Sequence, residues 1–422
     1  MKHVLAKKMA AGVAVLAILG AACSSEPTTS TANNETAGSS MEDMDSSPSA
    51  SADLAVQPVD APAAQLDQTL TQLLGEHEYL AGIAIAMGVQ NGADSAEFEA
   101  AAAALDANSV DLSKAVASVY GNAGGKQFLE LWRTHIGFFV DYTLAGGEGA
   151  AAAKAKKNLD GYRSDFGAFI DAATSGTLPK QAVADALKPH VEATLTAIDT
   201  VLGKREGNPF IELKKAAHHM PMIANALAGG IADDQGIEGD VTAPSAQLQS
   251  ALTHGLNEHE YLAGIAVAMG VMKGPDSAEF EAAAAALDEN SVDLSKAVAS
   301  VYGNAGGKQF LELWRTHIGF FVDYTLAGGE GAAAAKAKKN LDGYRSDFGA
   351  FIEGATEGEL TKADVEGALK PHVEATLAAI DAVLGRSDAN PFLELKEAAH
   401  HMPMIASALA NAIVNQQPET FE

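Results

Sequence analysis

The chain has a single cysteine, Cys23, among its 422 residues. No disulfide can form within it, so its domains must be stable through their hydrophobic cores alone. Basic residues are also scarce: 28 lysines and arginines stand against 55 aspartates and glutamates, and the formal net charge is −27. Such a surface repels phosphate backbones, which argues against nucleic acid as a partner. A solvated acidic surface explains this charge most simply, and attraction of cations is the functional alternative.

Catalytic motifs are missing as well. No Gly-x-Ser-x-Gly elbow occurs, and a chain with one cysteine cannot contain a C-x-x-C-H haem attachment. Gly121 to Lys126 has the wrong spacing for a phosphate loop, and no Ser or Thr follows the lysine. The sequence therefore predicts a protein that is not an enzyme.

The N-terminus has an apolar run, Met9–Ala22, that follows several lysines and is too short to cross a bilayer. It predicts a secretory signal. Small residues precede Cys23 in a pattern that resembles the lipidated cysteine of bacterial lipoproteins, although Gly20 stands where that pattern usually has Leu. We expect export, with a lipid anchor on Cys23 facing the extracytoplasmic side, or secretion if Cys23 is not lipidated.

Most of the chain is one unit written twice. Residues 109–170 recur unchanged at 291–352, and the similarity runs from Gln65 to about Ala228 against Gln247 to about Ala410. Any site in one copy should therefore have an equivalent 182 positions away in the other. The predicted organisation is a signal peptide (1–23), a disordered linker (24–62), a first helical bundle (63–229), a linker (230–245), a second bundle (246–415) and a tail (416–422).

Alanine, leucine and charged residues dominate each copy, and most prolines and glycines fall between periodic segments, which predicts an all-α fold of two tandem bundles. Leu66, Leu70, Leu73 and His77 begin a stripe typical of a central core helix. The predicted helices of the first copy are about 64–89, a short one to 104, one from Asn108 or Ser109 to 120, an aromatic one after three glycines, 150–170, 180–202 and 209–228. Asp94 with Glu97 suggests a capping box, and Pro189 and Pro221 should break the last two helices.

Histidines occur on several of these predicted helices. The neighbours of His77 and His135 mark both positions as core, and a buried imidazole requires a hydrogen-bond partner. His190 lies at the edge of its helical stripe. A lone interior histidine is usually a packing residue, so only the set as a whole indicates a site.

The densest cluster is His218, His219, Met220, Pro221 and Met222, which is repeated at 400–404. Pro221 cannot donate a backbone hydrogen bond and crowds the carbonyl four residues earlier, so the helix should kink there. His218 and Met222 stand four residues apart, a spacing that lets both reach one ion, whereas Met220 points toward the core stripe. A kink that gathers imidazole and thioether side chains indicates a metal site.

Imidazole with thioether is a ligand set that suits copper, in particular Cu(I). Zinc is the second choice, through Glu76, Glu78 or Asp141, and haem held by a His and Met pair is the third. The candidate metal ligands are His77, His135, His190, His218, His219, Met220 and Met222 in the first copy and His259, His317, His372, His400, His401, Met402 and Met404 in the second.

A longer pattern of residues occurs in both copies. In the first copy its residues are Glu76, His77, Ser118, Val119, Tyr120, Gly121, Trp132, His135, Ile136, Gly137, Phe139, Val140, Asp141, Tyr142, His219, Met220 and Met222. It resembles the helical repeats of secreted bacterial proteins often labelled "copper amine oxidase-like", over nearly all of both copies. The resemblance implies export and helical repeats. It implies no oxidase domain, because amine oxidases of that class need an Asn-Tyr pair and none occurs here.

We therefore expect an exported, membrane-anchored protein that binds a transition metal, copper in the first place, once per copy, for storage, delivery or sensing outside the cytoplasm. Its partners would be the metal ion, the membrane through a lipid on Cys23, and a protein of the cell envelope. The alternative is a non-catalytic structural or interaction module of the envelope, in which the histidines are packing residues and no metal binds.

Overall fold

The computed structural model describes residues 59–421 of the chain. The predicted signal over 1–23, Cys23 and nearly all of the linker over 24–62 lie outside the described residues, so export and lipid attachment stay predictions. Within 59–421, no helix is long and apolar enough to cross a membrane.

The all-α prediction is confirmed, since the described residues form helices and no strand. Repeat 1 contains α1 (Pro62–Asn91), α2 (Ala96–Leu144), α3 (Gly149–Ala173), α4 (Lys180–Val201), α5 (Pro209–Ala217) and α6 (Met220–Gln235). Repeat 2 contains α7 (Pro244–Lys273), α8 (Ala278–Leu326), α9 (Gly331–Ala355), α10 (Lys362–Val383), α11 (Pro391–Ala399) and α12 (Met402–Gln416), before a 3₁₀ turn at Pro418–Thr420.

Helix α2 corrects the sequence interpretation. Where three helices were predicted, the structure has one 49-residue element that bends at Gly121, whose backbone has φ 74° and ψ 171°. Only glycine adopts that conformation readily. The later glycines, Gly124 and Gly125, stay helical. The helix also begins one residue later than the predicted Asp94 cap, because Ser95 accepts the hydrogen bond from the Phe98 amide.

Asn108 was predicted to start a helix, and that prediction is wrong. Its side chain is fully buried inside α2, where the amide donates to the Leu73 carbonyl and to Glu76 Oε1 of α1, both at 2.9 Å. Through these hydrogen bonds Asn108 connects α2 to α1. It looked like a cap in the sequence because asparagine is common at helix starts.

The two prolines behave differently. Pro189 lies inside α4 without ending it, so the predicted break there is wrong. The break at Pro221 is confirmed: α5 ends at Ala217 and α6 begins at Met220. His218 and His219 therefore occupy the turn between two helices and do not share a continuous helix with Met222.

The two repeats pack face to face through their first helices. The rings of Tyr79 in α1 and Tyr261 in α7, which are equivalent residues, stack with 5.6 Å between centroids and 3° between planes. Helix α5 of repeat 1 also contacts α8 of repeat 2, and α11 contacts α2. The described residues, 59–421, lie within one compact unit. The division into two domains stays a prediction, and α6 continues past its proposed boundary at 229 to Gln235.

Candidate metal centres

The core of each repeat contains a pair of histidines that face each other. His77 comes from α1 and His135 from α2, and their Nε2 atoms are 3.3 Å apart. The equivalent atoms of His259 and His317 in repeat 2 are 3.2 Å apart. Each of these side chains is at least nine-tenths buried. The apolar stripe of α1 and the aromatic stripe of α2 bring the two imidazoles together between their helices.

The separation within each pair fits two ligands of one metal ion. Imidazole nitrogens bind zinc-like ions at about 2.0–2.1 Å, and ligand angles of tetrahedral or trigonal geometry then place two nitrogens about 3.3–3.6 Å apart. The Nδ1 atoms of His77 and His135 are buried and meet no hydrogen-bond partner within residues 59–421. A direct Nε2–Nε2 hydrogen bond therefore leaves half of the polar capacity of this pair unused.

Aromatic rings hold the pair in place and exclude water. The Trp132 ring lies 4.7 Å from that of His77 and 4.6 Å from that of His135, measured between centroids. The Tyr162 ring stacks on that of His135 with 4.8 Å between centroids. With these rings on several sides, the two imidazoles have little freedom to turn away from each other.

Burial keeps the paired imidazoles neutral. It lowers the pKa of His135 to about 3, and burial together with His135 and His190 holds the pKa of His77 well below its usual value of 6.5. The same cause lowers the pKa of His259 to about 3 and holds that of His317 well below its usual value. A neutral imidazole has a free lone pair, so these residues need lose no proton at neutral pH before they bind a metal.

A third histidine lies beside each pair, next to a buried glutamate. His190 Nδ1 of α4 is 3.6 Å from Glu78 Oε2 of α1, and the Thr194 hydroxyl is hydrogen-bonded to Glu78 Oε1 at 3.1 Å. Burial raises the pKa of Glu78 to about 8, so this carboxyl is mostly protonated at pH 7. It also lowers the pKa of His190 to about 3. Both groups are therefore neutral, which suits their position in the core.

One small cavity joins these groups to a methionine. His77, His135, His190 and the buried Met220 line a cavity of about 20 Å³ in repeat 1, enough for one particle of the size of water. In repeat 2, His259, His317 and His372 border a larger cavity of about 400 Å³, lined mostly by apolar side chains and by Glu260. Met402 is buried in the same core cluster as Trp314.

The remaining predicted ligands lie elsewhere. Met222 and Met404 are 52% and 50% exposed, outside the buried groups, because the break before α6 turns them to the surface. His219 is half-buried near His190 and helps to lower its pKa after burial; His401 does the same to His372. His218 and His400 point away from their own repeat's cavity and contact the other repeat.

His218 belongs to a second group, at the packing surface of the two repeats. Its Nε2 is 3.0 Å from Oε2 of Glu258, a buried residue of α7. His254 stands one helical turn before Glu258, with its Nε2 3.8 Å from the same oxygen. One ligand atom from each of the three residues lies within 4.8 Å of the others. The structure thus contains a His/Glu group that could bind a metal ion.

His254 was missed in the sequence analysis. It has no counterpart in repeat 1, where Gln72 occupies the equivalent position, and the search for ligands followed residues present in both copies. The spacing of His254 and Glu258 on one helical face was the available signal, since residues four apart on a helix can share a ligand. Glu258 and His254 form a three-residue group only because repeat 1 places His218 beside them.

The equivalent group around Glu76 is an ion-pair network. His400 Nε2 lies 3.1 Å from Glu76 Oε2, and Lys396 Nζ lies 3.4 Å from Glu76 Oε1. The same ammonium is 3.1 Å from the His400 ring nitrogen. Lys396 also binds Asp111 at 2.6 Å, as its counterpart Lys214 binds Asp293, but Lys214 lies farther from its glutamate, at 3.9 Å from Glu258.

No family model, curated protein or solved structure matches this chain.

Proposed function

We propose that each repeat binds one copper ion between the paired histidines of its core, His77 with His135 and His259 with His317. The observation that carries the proposal is the Nε2–Nε2 separation of 3.3 Å and 3.2 Å, which suits two imidazoles on one ion. In repeat 1, Met220 borders the same cavity and supplies a thioether. His190 is the further ligand available from that cavity's wall.

The charges of the site favour Cu(I). All ligands in the cavity are neutral, because burial lowers the histidine pKa values and raises that of Glu78 to about 8. The cost of burying an ion rises steeply with its charge, so a monovalent cation is less unfavourable here than a divalent one. Imidazole and thioether are also ligands that Cu(I) accepts at low coordination number.

The alternatives fit less well. A dication such as zinc would have no ionised ligand in this buried cavity, because Glu78 is held in its protonated form. Haem needs far more room than the cavity of about 20 Å³ in repeat 1 offers. Copper bound by coordination alone, with no bond chemistry, would serve storage, delivery or sensing. With the predicted signal and Cys23 anchor, that role would be outside the cytoplasm at the membrane.

The test is a copper titration of the chain from Ser24 onward, which omits the signal and Cys23. We expect two Cu(I) ions per chain, measured anaerobically by competition with a coloured Cu(I) chelator and by elemental analysis. His135→Gln should leave one ion, and His135→Gln with His317→Gln should leave none. At copper concentrations near 100 times the dissociation constant, each site should add about 2.7 kcal/mol to the free energy of unfolding.

A matched control is Met222→Leu with Met404→Leu, which removes the two exposed thioethers of the same sequence cluster and should leave both ions bound. Absence of tight copper in the unmodified chain would favour the envelope scaffold, in which the histidines only pack. Two ions retained by the double His→Gln variant would place copper elsewhere in the protein.

A further inference from the structure

We propose that His218, His254 and Glu258 form a separate site for a divalent metal, Zn²⁺, between the two repeats. His218 is supplied by the turn after α5 of repeat 1, and the other two residues by one face of α7 in repeat 2. Their ligand atoms already lie within 4.8 Å of one another. This site is distinct from the paired core histidines and does not depend on copper.

The donor set is typical of zinc. Two imidazole nitrogens and one carboxylate oxygen, with water in a fourth position, make a common Zn²⁺ coordination. Bonds of about 2.0–2.2 Å require donor separations of about 3.3–3.6 Å. Oε2 of Glu258 lies 3.0 Å from Nε2 of His218 and 3.8 Å from Nε2 of His254, and all three ligand atoms lie within 4.8 Å of one another, so small side-chain shifts would bring them to these separations.

His254 gives independent support for a ligand. Neither of its ring nitrogens reaches solvent or has a hydrogen-bond partner in the described part of the chain. A buried polar group without a partner destabilises the folded protein, and a metal bond to Nε2 would offset that cost. Burial lowers the pKa of His254 to about 4, so the imidazole is neutral at pH 7.

Glu258 is held as an ionised, oriented ligand. Burial alone would raise its pKa, but the hydrogen bond from His218 and the nearby imidazoles outweigh burial and lower the pKa to about 2. Asn290 donates to Oε1 at 2.9 Å, and the Tyr79 hydroxyl donates to Oε2 at 2.7 Å. Such outer contacts orient a metal-binding carboxylate and are part of most metal sites.

The local charge favours a bound cation. Lys214 Nζ lies 3.9 Å from Glu258 Oε1, but it is bound to Asp293 and lies 3.3 Å from Glu289. Three carboxylates stand against two ammonium groups, those of Lys214 and of Lys296, which binds Asp293 at 2.9 Å, so one negative charge remains for a bound cation to balance. The His218 side chain is 45% exposed, so solvent can reach the site, supply a fourth ligand and exchange the ion.

The equivalent position beside Glu76 does not offer the same site. Gln72 replaces His254 there, and the Lys396 ammonium approaches both His400 and Glu76 closely enough to take the place of a metal. We therefore expect one such zinc site per chain, against two copper sites. Because its ligands come from both repeats, zinc should tighten the packing of one repeat on the other.

The experiment uses the chain from Ser24 onward and zinc chloride as the probe. Zinc affinity is measured by competition with a fluorescent chelator, and Co²⁺ is added in its place to observe the visible absorption of a low-coordinate site. His254→Gln introduces the residue that repeat 1 carries at this position, so the fold should tolerate it. Losing a residue that only orients a ligand typically lowers metal affinity 10–100-fold. Losing a direct ligand, as in His254→Gln, should lower zinc affinity by more than ~100-fold.

The matched control is His400→Gln, which changes the equivalent histidine beside Glu76 and should leave zinc binding intact. His254→Gln should also keep both copper ions, so failure of the zinc site and failure of the copper sites are distinguishable. The proposal is overturned if the unmodified chain binds no zinc with a dissociation constant below the micromolar range. It is equally overturned if His254→Gln retains full zinc affinity.

Discussion

Acidification to about pH 5 should severely destabilise the metal-free protein, because seven buried histidines are neutral in the folded chain. Burial is the first cause of the lowered pKa of each, whereas an unfolded histidine titrates near 6.5. The unfolded state therefore binds more protons below pH 6.5 and is favoured there. The stability that these groups contribute is present above the unfolded pKa and is lost as pH falls. The seven are His77, His135, His190, His254, His259, His317 and His372.

The size of the effect follows from proton linkage. Any histidine whose folded pKa lies below 5 loses about 2 kcal/mol between pH 7 and pH 5, so seven lose about 13 kcal/mol together. Three buried acids act in the opposite direction, because burial raises the pKa of Glu78 and Glu260 to about 8 and that of Asp67 to about 6. Between pH 7 and pH 5 these three acids together add about 6 kcal/mol to the free energy of unfolding. The net loss of about 7 kcal/mol is comparable to the whole stability of many proteins.

The assay is urea unfolding followed by far-ultraviolet circular dichroism at pH 7, 6 and 5, after metal removal with a chelator. The midpoint should fall steeply between pH 6 and pH 5, and the protein should be largely unfolded near pH 5 without urea. His254→Gln removes one of the titrating groups. Between pH 7 and pH 5 this variant should therefore lose about 2 kcal/mol less unfolding free energy than the unmodified chain. A midpoint that is the same at pH 7 and pH 5 would refute the reasoning, since it would mean that these imidazoles are not buried in neutral form.

Two further predictions concern the fold itself. Lys396 and Glu76 are buried partners 3.4 Å apart, so Lys396→Met should cost about 3 kcal/mol of unfolding free energy, and adding Glu76→Gln should recover most of it. A double variant as unstable as the single one in urea unfolding would contradict this account. Gly121→Ala forces a side chain onto the φ 74° bend and should cost about 1–3 kcal/mol. Gly137→Ala, at a helical position with open space around it, should instead raise the melting temperature slightly.

Much of the buried centre could be predicted from the sequence, because helical periodicity tells which side chains face a core. The stripe of α1 identified His77 as interior, and the aromatic stripe of α2 did the same for His135. Periodicity cannot tell whether two interior side chains meet, and it placed Met222 with His218 only by assuming one continuous helix. The turn at His218 and His219 separates them.

The interface cluster could not be predicted because it depends on how the repeats pack. A repeated sequence says that two similar bundles exist, but it does not say which face of one meets the other. The sequence offered Glu76 only as a possible zinc ligand, and nothing in it indicated that Glu76 and Glu258 lie between the repeats. They are buried only because α1 and α7 pack together and the turn after α5, or after α11, covers them from the opposite repeat.

The differences between the repeats at this interface make the two copies complementary. A near-symmetric contact places equivalent residues opposite each other: Gly75 faces Asn257, its own counterpart, and a side-chain carbon on Gly75 would come within 2.9 Å of the Asn257 amide. Gln72 in turn donates to Asn257 Oδ1 at 3.0 Å. Two identical copies could make neither arrangement, because two asparagines would collide and two glycines would remove the Asn257 partner of Gln72, leaving its amide only the Ala399 carbonyl at 3.3 Å. The two repeats thus differ at their interface, while each has a pair of histidines in its core. These differences allow His254 to occur in repeat 2 only.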